Sequence, residues 1–213
     1  MTSPSHTPSP NKRLKGFEAE LLFIFSAFAL NAGNAMGKAQ FDNVAPATMA
    51  WLRMFGAMVV AVCIVGPRRL APKLWTRQEL KSAAVLGLST GLTSTFFYMA
   101  IDRLPLGKGV SIEFIGPITV AALFTRTKRN AIALVVAVVG VAILSGVELS
   151  GEPLGVLFIF IAAIFWGIHI VYAGKVANAH GGLDGLAMSF IFGALLTFPM
   201  GAPDIGAVIT YPY

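Results

Sequence analysis

The chain has 213 residues, of which 56% are hydrophobic and only 12% are charged. A soluble domain of this length carries about 25% charged residues, so the composition excludes an ordinary soluble domain and indicates a membrane protein. The net charge of +6 comes from basic residues in short loops between apolar runs, which argues against a nucleic-acid-binding patch and favours membrane topology as the explanation.

The first 16 residues are rich in proline and serine and then basic, with the sequence MTSPSHTPSPNKRLKG. Such a composition cannot bury a core, so residues 1–16 are predicted to be a disordered cytoplasmic tail. A cleaved signal peptide is disfavoured, because the apolar run that follows is long and contains two polar residues, Asn31 and Asn34.

Seven apolar segments follow the tail, most of them close to the ~20 residues that a helix needs to cross ~30 Å of hydrocarbon. Helices are expected, because a single segment can satisfy its own backbone groups inside lipid only as a helix. Prolines mark several boundaries, as Pro46 and Pro153 do at the start of the second and sixth segments. The sequence therefore predicts an all-α, polytopic membrane protein with seven transmembrane helices. The segments are 17–37, 46–66, 80–101, 107–125, 130–147, 153–174 and 183–201.

Basic residues are distributed unequally between the loops. With seven spans, alternate loops lie on opposite sides of the membrane, and twelve Lys and Arg residues fall on the side of the N-terminus. Only Lys38, Arg103 and Lys108 fall on the other side, while Arg53 lies within a span. Because cytoplasmic loops carry the excess of basic residues, a multi-pass inner (plasma) membrane protein with a cytoplasmic N-terminus is predicted.

Two stretches of the chain resemble each other at an offset of 137 positions. The sequence SAFALNAGNAMGK (26–38) aligns with AIFWGIHIVYAGK (163–175), and without a gap the same offset pairs Gly56 with Gly193. If these matches mark a repeat, its unit is five spans, so the second copy would enter the membrane inverted, an arrangement typical of transporters. Chance matching among small apolar residues is the alternative.

The predicted repeats divide the chain unequally. A first five-helix repeat occupies 17–147, and an incomplete second repeat of two helices occupies 153–213. The position equivalent to Tyr213 in the first copy is Thr76, which precedes the third span. The chain is therefore expected to be a fragment or a truncated protein, seven helices of a ten-helix (5+5) fold.

Several short motifs resemble the drug/metabolite transporter superfamily, EamA-type, and within it the bacterial threonine/homoserine exporter branch. The resemblance covers about residues 20 to 205. Its motifs are Gly37-Lys38, Trp51-Leu52-Arg53, Leu104 to Gly107, Ile112 to Pro117, Phe165-Trp166-Gly167 and Gly174-Lys175. It implies two inverted five-span repeats around a central cavity and the export of small metabolites.

Two ionisable residues inside apolar segments are the leading site candidates. A lone charge such as Arg53 costs about 2.5–3.5 kcal/mol at the centre of a span on insertion scales, so it needs a partner. Arg53 and Glu113 could form a permanent ion pair. Alternatively, Arg53 binds a substrate carboxylate, and Glu113 binds a substrate ammonium and exchanges a proton. Both interpretations stay open, and the second suits a zwitterionic amino acid.

Polar residues on other spans are further candidates for substrate binding. Asn31 and Asn34 lie on one face of the first span, where bonding between helices is the main alternative. Thr90, Ser94, Tyr98 and Asp102 are spaced by four along the third span, and only Tyr98 is retained, because Ser and Thr commonly bond backward to carbonyls. His169 is expected to be a buried, neutral, hydrogen-bonded residue, with a proton relay as the alternative.

Glycine and proline suggest where helices pack and bend. Pro117 removes a helix hydrogen bond beside Gly116, so the pair is predicted to kink the fourth span, either as a hinge for alternating access or for packing. Gly33-x-x-x-Gly37 and Gly87-x-x-x-Gly91 are weak close-packing motifs.

Nothing in the sequence indicates catalysis. Cys63 is the single cysteine, and no cluster of His, Cys and carboxylate residues resembles a metal or nucleophile site, so no metal, no cofactor and no enzyme activity are expected.

The expected function is export of small amino acids such as threonine or homoserine, coupled to protons. The alternatives are efflux of another metabolite or drug, and a truncated remnant that transports nothing or assembles with another half. The expected partners are a small-molecule substrate and the lipid bilayer, without nucleic acid, while a homo-oligomer or a complementing half stays open.

The predicted orientation can be tested by thiol labelling in intact cells. In a Cys63→Ser background, an impermeant maleimide should label the Asp42→Cys variant, in the first loop, from outside the cell. The Gln78→Cys variant, in the basic loop before the third span, should react only after the membrane is permeabilised. The reverse pattern of labelling would contradict a cytoplasmic N-terminus.

Overall fold

The computed structural model describes residues 16–124, 127–145, 152–179 and 182–206, and in these ranges it contains helices and no β-strand. The predicted tail lies outside the described residues except for Gly16, which begins the first helix. The all-α prediction is confirmed over the part of the chain that is described.

Within the described residues, a helix lies in each of the seven predicted segments, and the fourth segment is divided into two. The helices are α1 Gly16–Lys38, α2 Pro46–Val65, α3 Arg77–Arg103, α4 Leu106–Glu113, α5 Ile115–Phe124, α6 Lys128–Ser145, α7 Pro153–Ala179 and α8 Gly182–Gly201. Short 3-10 helices lie at Pro72–Leu74 and Ala202–Asp204.

Within the described residues, five helical segments are long and apolar enough to cross a membrane. They are Pro46–Val65, Arg77–Arg103, Leu106–Phe124, Pro153–Ala179 and Gly182–Asp204. Helices α1 and α6 cover the two remaining predicted segments. The seven-span count, the ten-helix repeat and the orientation stay predictions.

The chain forms two compact units, Met1–Gly37 and Lys38–Tyr213. In the first unit, α1 runs as one helix from Gly16 to the boundary, and the Asn31 amide donates to the Ala27 carbonyl at 2.9 Å. This bond follows the i to i−4 pattern of a single helix, so it satisfies the Asn31 amide locally.

Helix α3 is the centre of the second unit and packs mainly against α7, α8 and α2. Its crossing with α8 depends on glycine, because a Cβ at Gly87 would overlap the Ser189 carbonyl group. One turn later, a Cβ at Gly91 would collide with the side chain of Thr197. The Gly87-x-x-x-Gly91 motif predicted from the sequence is therefore confirmed at this crossing, whereas a Cβ at Gly33 would meet no atom of the described residues within 4 Å.

Polar contacts from the start of α2 fix that helix against α8. The Thr48 hydroxyl donates to the Gly201 carbonyl at 2.9 Å, and the Trp51 indole donates to the Ala194 carbonyl at 2.8 Å. The backbone N–H of Ala45, at the N-cap of α2, donates to the Asp204 carboxylate at 2.9 Å. These contacts fix the rotation of α2 about its own axis. This rotation determines the direction in which the Arg53 side chain points.

The turn between α3 and α4 contains a carbonyl that lacks its usual helical partner. The Ile101 carbonyl would normally accept from residue 105, but Pro105 has no N–H. The Lys38 ammonium donates to this carbonyl and also to the Leu104 carbonyl at 2.9 Å. Lys38 therefore compensates for the proline at the point where the chain leaves α3 and begins α4.

Replacing Lys38 should lower the stability of the protein. Lys38→Met keeps the length of the side chain but removes the donor, and an unsatisfied buried carbonyl costs about 1–3 kcal/mol. We expect a lower thermal unfolding midpoint in detergent, whereas Lys38→Arg should retain most of the stability. The matched control is Lys73→Met, because Lys73 is exposed in the short 3-10 helix before α3. Equal midpoints for the two Met variants would contradict this role of Lys38.

Candidate functional site

Arg53 projects from α2 toward α3, where its Nη1 atom donates to the Tyr98 hydroxyl at 3.4 Å. Tyr98 is almost fully buried, with 1% of its surface exposed, and its ring contacts those of Phe41 and Phe97. Because aromatic packing fixes the Tyr98 ring, its hydroxyl offers Arg53 a contact at a defined position. The structure thus brings these two sequence-predicted candidates together.

Glu113 is the last residue of α4 and is 9% exposed. It lies one turn after Gly109, where a Cβ would come within 2.7 Å of the Ile101 side chain, so glycine permits α4 to lie close against α3. The positive charge of Arg53 acts on the Glu113 carboxyl group. Arg53 therefore lies within electrostatic reach of Glu113 and hydrogen-bonds Tyr98, so the three side chains share one region of the second unit.

The fourth predicted span is interrupted immediately after Glu113. Helix α4 ends at Glu113, and α5 begins at Ile115. Pro117 explains the break, because it lacks the N–H that would bond to the Glu113 carbonyl and its ring crowds that carbonyl. The helix is thus interrupted beside the predicted residues, while a kink and the role of Gly116 and Pro117 as a hinge stay predictions.

Helices α5 and α7 lie close together at Gly116. A Cβ at this position would overlap the Ala163 carbonyl group, so only glycine fits without a shift of one helix. The ring of Phe114, at the break, packs edge-on against Trp166 at 5.3 Å between centroids. The residues that directly follow Glu113 are thus held against α7.

His169 lies on α7 and faces α3. Its Nδ1 atom is 2.8 Å from the Thr90 hydroxyl oxygen, and Thr90 also donates to the Leu86 carbonyl at 2.7 Å. Thr90 precedes Tyr98 by eight residues, which is about 12 Å along the helix axis, so the histidine lies at a different level from the Arg53–Tyr98 contact.

Sequence reasoning set Thr90 aside, because a back-bond to a carbonyl accounts for a threonine in a helix. That back-bond is present, but the same oxygen also meets His169. The sequence did contain one sign that Thr90 belongs with the candidates, because Thr90 and Tyr98 lie two turns apart on one face of α3. Asn31 and Asn34 belong to the first unit, and their role as cavity residues stays a prediction.

An apolar groove of about 380 Å³ lies between α5 and α7. It is lined by Gly116, Leu123, Phe160, Ile164 and Tyr172 among others, and neither Arg53, Glu113 nor His169 contributes to it. A zwitterionic ligand would find no charged partner on these walls. The groove is therefore not the candidate site.

Comparison with curated proteins identifies relatives that are named as exporters. The threonine/homoserine exporter RhtA of Salmonella typhimurium (strain SL1344) is 26% identical over 206 residues, which are 93% of this chain and 67% of that protein. The threonine/homoserine exporter RhtA of Escherichia coli (strain K12) is 26% identical over 196 residues, 89% of this chain and 64% of that protein. The chain thus spans about two thirds of the length of these relatives.

These similarities confirm the resemblance to the threonine/homoserine exporters that the sequence motifs indicated. Together with the five apolar helices, they support a multi-pass inner-membrane protein of the transporter class. No protein-family model matches the chain, and no solved structure matches it.

Replacing Pro117 should join α4 and α5. Pro117→Ala restores a backbone N–H opposite the Glu113 carbonyl, and a proline inside a helix costs about 3 kcal/mol, so the variant should gain stability up to about that amount. Circular dichroism and the thermal midpoint in detergent measure the change.

The matched control for this substitution is Pro153→Ala. Pro153 is the first residue of α7, where proline costs a helix little. If both variants gained the same stability, or if neither gained any, the assignment of the break to Pro117 would be contradicted.

Proposed function

We propose that this chain exports small amino acids of the threonine and homoserine type in exchange for protons. The observation that supports this most directly is the position of Glu113, a buried acid at the end of a broken span, under the influence of the Arg53 charge. The similarity to exporters named for these two amino acids supports the substrate class.

The proposed binding site uses the two opposite charges of an amino acid. The Arg53 guanidinium binds the substrate carboxylate, since its planar donors match the geometry of a carboxylate. The Glu113 carboxylate binds the substrate ammonium group. Tyr98, which already accepts a bond from Arg53, keeps the guanidinium oriented when substrate is absent.

Proton exchange follows from competition at Glu113. Substrate and proton both neutralise the carboxylate, so they bind at alternate stages of the transport cycle. After the amino acid leaves, Glu113 takes up a proton, and the proton must leave before the next amino acid binds. The break between Glu113 and Ile115, beside Gly116 and Pro117, is the proposed hinge that exposes the site to one side and then to the other.

Replacing Glu113 by Gln should separate transport from the proton gradient. In lipid vesicles with an acidic interior, a gradient of about one pH unit can drive about tenfold accumulation of threonine inside if one proton leaves per substrate that enters, because one pH unit is about 1.4 kcal/mol. The Glu113→Gln variant should lose this gradient-driven transport.

The matched control is Glu152→Gln, because Glu152 is exposed before α7 and pairs with Arg103 at 3.5 Å. Gradient-driven transport by Glu113→Gln at the wild-type level would refute proton exchange at this residue. If the wild-type chain transported unrelated amines as well as it transports threonine and homoserine, the result would instead favour efflux of another metabolite or drug. Absence of any flux through the wild-type chain would favour the non-transporting alternative.

A further inference from the structure

The apolar groove between α5 and α7 is about as long as one leaflet of a bilayer. It begins at Ile115, the middle residue of the apolar segment Leu106–Phe124, and reaches Leu123, next to the end of that segment. Eight residues of helix are about 12 Å long, close to the ~15 Å that half of a ~30 Å hydrocarbon core occupies. The groove therefore runs from the middle of this segment to one membrane surface.

The two helices run in the same direction along the groove. Gly116 lies against Ala163, and four residues later Val120 lies against Gly167. Tyr172, which lines the groove on α7, therefore lies toward the same end as the last residues of α5. This is the end of the groove at the membrane surface.

The walls of the groove suit an acyl chain. Among the residues that line it, Thr119 and Tyr172 are the two with a hydroxyl, and the Thr119 hydroxyl already donates to the Ile115 carbonyl at 2.7 Å. Leu123 and Ile164 are 77% and 63% exposed, so the groove is open to the surroundings of the helices. An acyl chain could thus enter from the bilayer and fill the groove through dispersion contacts.

A lysine lies at the surface end of the groove. The Lys175 ammonium lies over the ring of Tyr172, at 4.4 Å from its centroid, and Lys175 is exposed. This cation–π contact keeps the ammonium beside the groove. An ammonium has three N–H donors, so those that point away from the ring are able to bind a phosphate oxygen.

The charge around this end has one sign. Between α5 and the first turn of α6 the sequence is TRTKR (125–129), and Lys128, the first residue of α6, is exposed. Neither 115–147 nor 153–183 contains Asp or Glu. An anionic headgroup would therefore meet positive charge here without repulsion from a carboxylate of α5, α6 or α7.

We propose that the groove between α5 and α7 binds an anionic phospholipid, with one acyl chain along the groove and the phosphate held by Lys175. A zwitterionic headgroup carries its own cation and gains less from this lysine. The predicted orientation of the chain assigns the site to the cytoplasmic leaflet. The inference goes beyond the proposed function and does not depend on it, because lipid binding is measured without transport.

Native mass spectrometry of the whole chain in detergent counts the lipids that stay bound. The probes are phosphatidylglycerol and phosphatidylcholine with identical acyl chains, so the two lipids differ in headgroup charge. The wild-type chain should bind one phosphatidylglycerol more tightly than phosphatidylcholine, by about fivefold, the effect of one lysine near an anionic lipid. Equal affinity for the two lipids would overturn the proposal, and this comparison needs no variant.

The role of Lys175 is tested by removing its charge. Lys175→Gln should lower the affinity for phosphatidylglycerol about fivefold, whereas Lys175→Arg should retain it. The matched control is Lys73→Gln, because Lys73 is exposed in the 3-10 helix before α3, on the same predicted side of the membrane. Equal losses in the two Gln variants would show general attraction to a basic surface and would overturn the site.

The role of the groove is tested by filling it. Leu123→Trp places a larger side chain in the groove and leaves Lys175 unchanged, so it should also lower the affinity for phosphatidylglycerol. The control is Leu195→Trp, because Leu195 is 65% exposed on α8 and does not line the groove. Equal affinities of the two Trp variants would overturn the position of the acyl chain.

A second copy of this chain is the competing occupant of the groove. The same spectra give the mass of the assembly after lipid is removed. A dimer that persists without lipid and is dissociated by Leu123→Trp, but not by Leu195→Trp, would assign the groove to contact between copies and would overturn the lipid site. A lipid-free monomer that binds phosphatidylglycerol supports it.

Discussion

The cost of holding a charge inside hydrocarbon is the constraint on which the centre of this protein depends. A charged side chain in the middle of a span costs about 2.5–3.5 kcal/mol on insertion scales, so Arg53 and Glu113 each need compensation from neighbouring helices. The contacts of Thr48 and Trp51 with α8 set the rotation of α2, and the rigid ring of Tyr98 meets the guanidinium. The packing of the helices thus positions the few polar atoms that meet the charged side chains.

A second constraint is that every buried backbone carbonyl needs a donor, and two prolines in one short stretch remove donors on either side of Glu113. Pro105 removes the partner of the Ile101 carbonyl, which the Lys38 ammonium replaces. Pro117 removes the helical partner of the carbonyl of Glu113 itself, and the helix breaks there. The same residue therefore carries the buried acid and marks the end of α4, so a movement at the break would move the acid directly.

Sequence patterns predicted those features that depend on neighbours along the chain. The seven helical segments, the break near Pro117 and the glycine crossing of α3 follow from composition, proline chemistry and local spacing. The partners of Lys38, Trp51 and His169 were not predicted, because each is a carbonyl or hydroxyl more than 60 residues away in sequence. Residue type shows that a buried polar atom needs a partner, but only the packing of helices shows which one it meets.

The proposed repeat predicts helix positions better than it predicts chemistry. Shifted by 137 positions, the start of α1 at Gly16 falls on Pro153, the start of α7, and Pro46 falls on Leu183, one residue after α8 begins. The side chains differ at equivalent positions. Lys38 binds carbonyls, whereas its counterpart Lys175 lies over the Tyr172 ring at 4.4 Å. The counterpart of Arg53 is Phe190, which cannot bind a carboxylate, so the proposed guanidinium belongs to the first copy alone. A site built this way would be asymmetric even if the two copies share one backbone plan.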